Sequence, residues 1–261
     1  MICPLTKNDG EIGSIKYIRM KIDSRYIITF IIGILFVIGY SCKKDSYDKT
    51  NTIELGYDYY PLEKGKYVIY NVDSISIDAV SAKYDTTHYQ LKEVLSDTIF
   101  SEDRTIQRYK IERFVRRDSN QIWEIKNVWQ VLQSKTCLIR IEENVPLVKQ
   151  VYPMIIGQTW NINQYDTLPK KINTLKSFDI KDTINGKIFE KIAQTVQLDF
   201  SSYYQKQYET EKYVRGIGLV YKQLIDVESQ SKNGNLVDIN KPIMDRITMG
   251  TIITWTIYSH N

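Results

Sequence analysis

Histidine is almost absent from this sequence: its 261 residues include only two, His88 and His260. A zinc site needs three or four clustered ligands, and a Ser-His-Asp triad needs a histidine held beside its serine. His260 is the penultimate residue, and His88 lies at the entrance of a strand-like segment, where we expect it at the surface. We therefore predict no metal site and no catalytic residues.

Glycine-rich phosphate loops are also missing. Gly216-Ile217-Gly218 begins like a dinucleotide-binding loop, but residue 221 is Tyr and the residues around it have a strand pattern. No Gly-Lys-Ser/Thr loop that could cradle phosphates is present. We therefore expect no cofactor.

Cysteine is scarce: the chain has three, at positions 3, 42 and 137. If the first two belong to a processed leader, as argued below, Cys137 remains without a partner and no intramolecular disulfide can form. It lies in the apolar segment Thr136-Cys137-Leu138-Ile139, so we predict that it is a small buried residue.

The charge is nearly balanced. Removing residues 1–42 takes away five basic and three acidic residues, which leaves 30 basic and 28 acidic residues. A nucleic-acid-binding domain normally has a marked basic excess, so we expect no nucleic-acid partner. Arg113, Arg116 and Arg117 form a short basic run, for which we favour a solvated face; anionic glycan binding is the alternative.

One long apolar run is present, Tyr26–Tyr40, after the basic segment Met20–Arg25. As a helix, its fifteen residues would rise about 22 Å, less than the roughly 30 Å of a bilayer's hydrocarbon core. A basic segment followed by such a run is typical of a signal peptide. We place this signal at 20–42 and interpret residues 1–19, which are partly acidic, as a mis-called start preceding Met20.

The apolar run ends at Ser41-Cys42, which resembles the bacterial lipoprotein signal, in which a small residue precedes a cysteine that receives diacylglycerol. The resemblance implies cleavage between Ser41 and Cys42 and acylation of Cys42 by diacylglycerol and palmitate. The polar segment 43–55 would then be a flexible tether. We predict a lipid anchor in the outer membrane, with the periplasmic and the surface-facing leaflet both left open.

Residues 56–261 are predicted to form a single β domain. Apolar residues alternate with polar ones along several segments, as in half-buried antiparallel strands. Asn185-Gly186 and Asn233-Gly234 indicate two-residue hairpin turns. The predicted fold is all-β, an antiparallel meander forming a strongly curled sheet or open barrel, with little helix outside the signal. The alternating sets are Val68, Tyr70 and Val72; Trp123, Ile125, Trp129 and Val131; and Ile253, Trp255 and Ile257.

One pattern occurs twice: Tyr60-Pro61 is followed by Gly65, and Tyr152-Pro153 by Gly157. Proline fixes φ and begins a turn, glycine returns the chain to the sheet, and the apolar residue after proline can plug one end of a curled sheet. The spacing suggests two similar halves, 57–150 and 151–261, with chance recurrence as the alternative.

The opening Tyr60-Pro61-Leu62-x-x-Gly65 and the late strand Gly216-x-Gly218-Leu219-Val220-Tyr221 resemble those of uncharacterised envelope lipoproteins of Bacteroidota-type bacteria. The Ser41-Cys42-Lys43-Lys44 start is similar to theirs too. The resemblance implies an envelope location and supplies no catalytic residues.

Three functions follow as hypotheses. The first is a non-enzymatic binding or assembly subunit of the cell envelope, with envelope proteins, glycan or lipid as partners. The second is a carrier of lipid or glycan in the concavity of the sheet, and the third a carboxylate-based hydrolase. Four tryptophans are candidate ligand-facing aromatics, although their alternation with aliphatic residues favours core packing. They are Trp123, Trp129, Trp160 and Trp255.

Overall fold

The chain folds as a succession of β-strands joined mostly by short turns. The computed structural model describes residues 54–78, 83–102, 107–230 and 238–261. Ser41, Cys42, the proposed start, the signal peptide, most of the tether and the Asn233-Gly234 turn lie outside these residues. Within the described ranges, no helix has the length and apolar character needed to cross a bilayer.

Twelve strands and two short 3-10 turns, Tyr57–Tyr59 and Ile243–Asp245, make up the regular structure of the described residues. The strands are β1 (Tyr67–Ile77), β2 (Tyr84–Phe100), β3 (Gln107–Arg116), β4 (Glu124–Gln133), β5 (Cys137–Glu142), β6 (Val145–Val151), β7 (Thr159–Asn161), β8 (Ile172–Ile184), β9 (Lys187–Ser201), β10 (Gln205–Val214), β11 (Gly218–Glu228) and β12 (Met249–His260).

All twelve strands belong to one antiparallel sheet, built from two meanders. Strands β1 to β6 follow one another across one half, β7 to β12 follow one another across the other, and β1 pairs with β12 between them. The outermost strands, β6 and β7, approach each other: the Val148 N–H donates to the Ile162 carbonyl, 2.9 Å away, and Trp160 Nε1 donates to the Val148 carbonyl, also at 2.9 Å. The sheet is therefore curled into a nearly closed barrel, which confirms the predicted fold class.

Local sequence explains much of this architecture. Tyr70 and Val72 are buried, whereas Asp73 is exposed, as alternation along a half-buried strand requires. Asn185 and Gly186 have φ of +49° and +74° and join β8 directly to β9, so the predicted hairpin is confirmed.

A β-bulge in β4 interrupts one predicted alternation. Arg113 pairs with Asn127, but Phe114 pairs with Ile125, so Lys126 is an extra residue on β4. Because a bulge shifts the side-chain phase by one residue, Ile125 leaves the face that it was predicted to share with Trp129. Ile125 is 63% exposed and Trp129 is 8% exposed, so the prediction of a shared face is wrong for Ile125.

The two Tyr-Pro-x-x-x-Gly segments form matching turns. Gly65 N–H donates to the carbonyl of Leu95 on β2, 2.7 Å away, and Gly157 N–H donates to that of Leu175 on β8, 2.8 Å away. Both glycines have positive φ, +91° and +85°, which side chains disfavour. Met154, the residue after the second proline, is buried in the core. The turns therefore correspond at their glycines, although Tyr152-Pro153 is cis and Tyr60-Pro61 is trans. The division of the domain into two similar halves stays a prediction.

The first described residues cross one end of the curled sheet, which we call the sealed end. The Tyr57 ring packs edge-on against Tyr152, with centroids 4.5 Å apart. Arg215 forms ion pairs with Glu54, Asp58 and Asp179, which hold this segment against the β10–β11 turn. The opposite end, which we call the far end, carries the β3–β4, β5–β6 and β9–β10 turns.

Candidate functional site

The inside of the curled sheet contains charged side chains as well as apolar ones. Trp129 of β4 is 8% exposed, and two guanidinium groups lie over its ring, with Arg113 3.4 Å and Arg140 4.7 Å from the ring centroid. Its Nε1 donates to Glu143 Oε1, 3.0 Å away. A buried guanidinium over an indole face is favoured by the ring quadrupole, so this stack fixes three strands to one another.

Glu93 of β2 compensates both arginines. Its Oε1 accepts hydrogen bonds from Arg113 Nε at 2.9 Å and from Arg140 Nη2 at 3.1 Å. Arg140 Nε also lies 3.1 Å from Glu142 Oε1. Burial opposes the ionisation of Glu142, but Arg140, Lys149 and Lys222 outweigh this effect and lower its pKa.

A second group of charges is centred on Glu211 of β10. Lys149 Nζ lies 2.6 Å and Lys222 Nζ 3.6 Å from Glu211 Oε1, and the Tyr213 hydroxyl donates to Oε2 at 2.6 Å. Burial disfavours the Glu211 carboxylate, but the two ammonium groups outweigh that cost and hold its pKa well below its ordinary value. Burial, followed by the Glu211 charge, raises the pKa of Tyr213.

These groups leave little room beside them inside the sheet. The cavity beside Tyr60, Tyr70 and Leu219 has a volume of about 40 Å³. A water molecule occupies about 30 Å³ of the liquid, so this cavity is too small for an acyl chain. Larger grooves are open to the surface at both ends of the sheet: one of about 750 Å³ lies beside Tyr57, Leu62 and Tyr109 at the sealed end, and another lies at the far end.

The far-end groove has a volume of about 760 Å³, within the usual range of small-molecule sites. Strand β2 supplies one wall, the end of β3 the floor, and the β3–β4 turn with the start of β4 the other wall. The lining residues are Thr87, Tyr89, Val115, Arg116, Arg117, Gln121, Ile122, Glu124 and Lys126. Arg117 and Lys126 bring two cations to it and Glu124 one carboxylate, so the groove is basic.

Arg116 is held in place by its surroundings. Its Nε donates to Gln90 Oε1 and its Nη1 to the Ser119 carbonyl, both at 2.8 Å. The guanidinium carbon lies 4.3 Å from the centroid of the Trp123 ring. These contacts hold the guanidinium on the outer face of the sheet, because Arg116 pairs with Gln90, whereas Tyr89 and Val115 point to the inner face.

Lys126 reaches the groove because of the β4 bulge. Its ammonium lies 5.4 Å from the centroid of the half-buried Tyr89 ring. Burial and then the nearby Arg113 guanidinium lower the pKa of Lys126, against an opposing effect of Glu143. Sequence analysis missed Lys126 and Tyr89, because the bulge that brings them together has no sequence signal of its own.

The four candidate tryptophans occupy different places. Trp129 and Trp255 both face Arg113, which lies 3.4 and 5.4 Å from their ring centroids. Trp160 is buried where β6 approaches β7, and Trp123 lies beside the far-end groove against Arg116. A ligand-facing role for any of them stays a prediction.

Two further predictions concern individual side chains. Cys137 is buried, as expected. The solvated face predicted for the basic run is wrong for Arg113, which is 3% exposed and paired with Glu93. Neighbouring residues of a strand point to opposite sides of a sheet, and Arg113 points inward.

Comparison with known proteins gives structural likeness only. No family model matches the chain, and no curated relative matches it. One similar crystal structure is that of a protein from Bacteroides fragilis, assigned as exported and with a YmcC-like fold. The match covers 77% of this chain and 98% of the Bacteroides fragilis chain, with 8% identity and a TM-score of 0.35. Another is that of a protein from Parabacteroides distasonis, assigned as a lipoprotein. The match covers 78% of this chain and 98% of the Parabacteroides distasonis chain, with 8% identity and a TM-score of 0.33. At these TM-scores, neither likeness carries an argument about function.

Proposed function

We propose that this protein is a lipid-anchored subunit of the cell envelope that binds a partner or assembles with one and performs no catalysis. The anchor is Cys42, at the end of the Tyr26–Tyr40 signal segment. Each buried CH₂ of an acyl chain contributes about 0.8 kcal/mol, so two or three chains hold a protein firmly on a bilayer. The outer membrane is the proposed location.

The observation that carries the binding role is the contrast between the inside of the curled sheet and its surface. The inside is occupied by Arg113, Trp129 and Arg140 and by the ion pairs of Glu211. The far-end groove, in contrast, displays cationic and aromatic groups around about 760 Å³ of space. Recognition at this surface is therefore favoured over transport inside the sheet.

A lipid carrier is disfavoured by the same contrast. A carrier of acyl chains needs a deep apolar cavity, whereas the cavity next to Tyr70 holds about 40 Å³ and the space beyond it contains charged side chains. A glycan held in the far-end groove is compatible with the geometry.

A carboxylate-based hydrolase is also disfavoured. Such an enzyme needs one carboxyl group with a raised pKa to donate a proton. Glu142 and Glu211 influence each other inside the sheet, but cations lower the pKa of both, so neither carries a proton at neutral pH.

Lipid labelling and fractionation in a bacterium that processes lipoproteins test the proposal. We expect the wild-type chain to incorporate labelled palmitate and to sediment with outer membranes. Cys42→Ala should lose the label and leave the membrane fraction, whereas the matched control Cys137→Ala should keep both. A Cys42→Ala chain that is processed and still found wholly with membranes would overturn the anchor.

A turnover assay tests the non-enzymatic role. Activity that persists through repurification and disappears with a single substitution, such as Glu142→Gln, would contradict it. Unchanged background rates in wild type and variant are the expected result.

A further inference from the structure

The far-end groove has an unbalanced charge. The side chains of Arg117 and Lys126 bring two positive charges to it, against one carboxylate, Glu124. The other acid of the β3–β4 turn, Asp118, accepts hydrogen bonds from Asn120 N–H and the Ser119 hydroxyl, so it is engaged within its own turn. The space inside the groove is therefore positive, and an anion entering it would be attracted.

The two cations in the groove have unused donors, since neither the Arg117 guanidinium nor the Lys126 ammonium group has a hydrogen-bond partner among the described residues. The backbone N–H of Arg117 donates to Gln121 Oε1, 3.2 Å away. Planar guanidinium groups with free N–H donors match the geometry of a carboxylate.

The electrostatic surroundings of Lys126 favour the binding of an anion. Lys126 is the bulge residue, and both burial and the Arg113 guanidinium disfavour its charged form. A carboxylate placed beside Lys126 and Arg117 would offset this like-charge crowding. The bulge thus positions an ammonium group whose positive charge is only partly balanced by carboxylates of the protein.

Apolar surface separates these cations. The Tyr89 ring and the side chains of Val115 and Ile122 line the same groove. A small inorganic anion would leave this surface uncovered, whereas a ligand with both apolar C–H faces and several carboxylates would use all of it. A chain of acidic sugar rings has this combination, because each ring has a C–H face and carries its charge at the edge.

We propose that the far-end groove binds an acidic oligosaccharide, with uronate carboxylates on Arg117 and Lys126 and a sugar ring against Tyr89. This inference rests on the proposed function as a binding subunit and names the class of its ligand. An acidic peptide shares the carboxylates but lacks the rigid ring faces, and its binding is a separate outcome of the test.

The test is calorimetric titration of the full-length lipidated protein in detergent micelles with a short oligogalacturonate. The matched neutral probe is the fully methyl-esterified oligomer of the same length, and the peptide probe is an oligoglutamate. We expect the oligogalacturonate to bind and the ester to bind at least about tenfold more weakly, since a hydrogen bond to a charged group contributes about 1.5–3 kcal/mol. Binding should weaken as salt is added.

Variants locate the site. Arg117→Gln and Lys126→Gln should each weaken oligogalacturonate binding about tenfold. Their side chains lie at the surface and hold no hydrogen bond within the described structure, so both variants should fold, which circular dichroism checks. Lys181→Gln, which removes an exposed charge on β8, should bind like wild type.

The outcomes separate this inference from the proposed function. Three results would overturn the proposal that the ligand is an acidic oligosaccharide: no binding of the oligogalacturonate, equal binding of its ester, or unchanged binding by both groove variants. If oligoglutamate binds more tightly than oligogalacturonate and the same variants no longer bind oligoglutamate, the acidic sugar is ruled out as the ligand. The role as a binding subunit is then still supported. The anchor is judged separately, by the Cys42→Ala fractionation.

Discussion

Lys149 and Glu211, 62 residues apart in sequence, form an ion pair inside the curled sheet, with Nζ 2.6 Å from Oε1. Their side chains are 4% and 1% exposed. The pair connects β6, at one edge of the sheet, with β10, three strands in from the opposite edge. It therefore stabilises the closure of the sheet across its interior.

Removing the carboxylate of this pair should destabilise the fold strongly. Glu211→Gln leaves the Lys149 and Lys222 ammonium groups without a counter-charge, and breaking a buried pair in this way costs about 3–5 kcal/mol. Urea unfolding of wild type and variant measures the difference. Glu190→Gln is the matched control, because the Lys181–Glu190 pair is 61% and 66% exposed and should contribute about 1 kcal/mol or less. Equal losses in the two variants would contradict the assignment.

Stability should fall in acid because of the same carboxylate. The pKa of folded Glu211 lies well below its ordinary value of 4.5, so the unfolded chain takes up the proton first as the pH decreases. The stabilisation is complete at neutral pH and is lost progressively below about pH 4.5. Melting temperatures measured from neutral to acidic pH should show this loss in wild type and a shallower one in Glu211→Gln. Parallel profiles would show that Glu211 does not contribute.

Arg215 should control the order of the first described segment. It forms ion pairs with Glu54, Asp58 and Asp179, and all three carboxylates are at least partly exposed. Arg215→Ala should therefore cost only about 1 kcal/mol of unfolding free energy, yet increase amide exchange over Glu54–Tyr60. Hydrogen–deuterium exchange measures this change. The control, Arg108→Gln on β3, should leave amide exchange in that segment unaltered. An unchanged exchange profile in Arg215→Ala would contradict the prediction.

Gly250, on β12, has no room for a side chain. Its φ is +131°, and a Cβ there would lie 2.2 Å from the Asp226 carbonyl oxygen on β11. Gly250→Ala should cost about 3 kcal/mol or more, because a steric clash of about 1–3 kcal/mol adds to the backbone strain. Gly65→Ala is the control: its φ is +91°, nothing lies within 4 Å of the added Cβ, and it should lose only the strain of about 1–2 kcal/mol. Thermal unfolding compares the two variants, and a smaller loss at Gly250 would disprove the contact.

The strand content and the turns could be predicted from the sequence because both depend on neighbouring residues. Alternation around Tyr70 and Val72 marks a face of a strand, and Asn185-Gly186 supplies the two positive φ angles of a tight hairpin. The glycines of the two Tyr-Pro-x-x-x-Gly segments take corresponding places for the same reason, since glycine frees its own backbone. The predicted leader ending at Cys42 is likewise a purely local pattern, and it lies outside the described residues.

Only the tertiary structure shows how the sheet is filled and where its surface is open. Arg113 belongs to a basic run in the sequence, yet sheet order places it between Glu93 and Trp129 inside the protein. The extra residue at Lys126 exposes Ile125 and turns a lysine toward Tyr89, although nothing near it in sequence marks a bulge. Residue spacing encodes the strands and the turns, so the sequence was enough to predict them, and the predicted leader is a pattern of the same local kind. The interior charges and the far-end groove depend on which strands become neighbours, and that is decided only when the whole sheet closes.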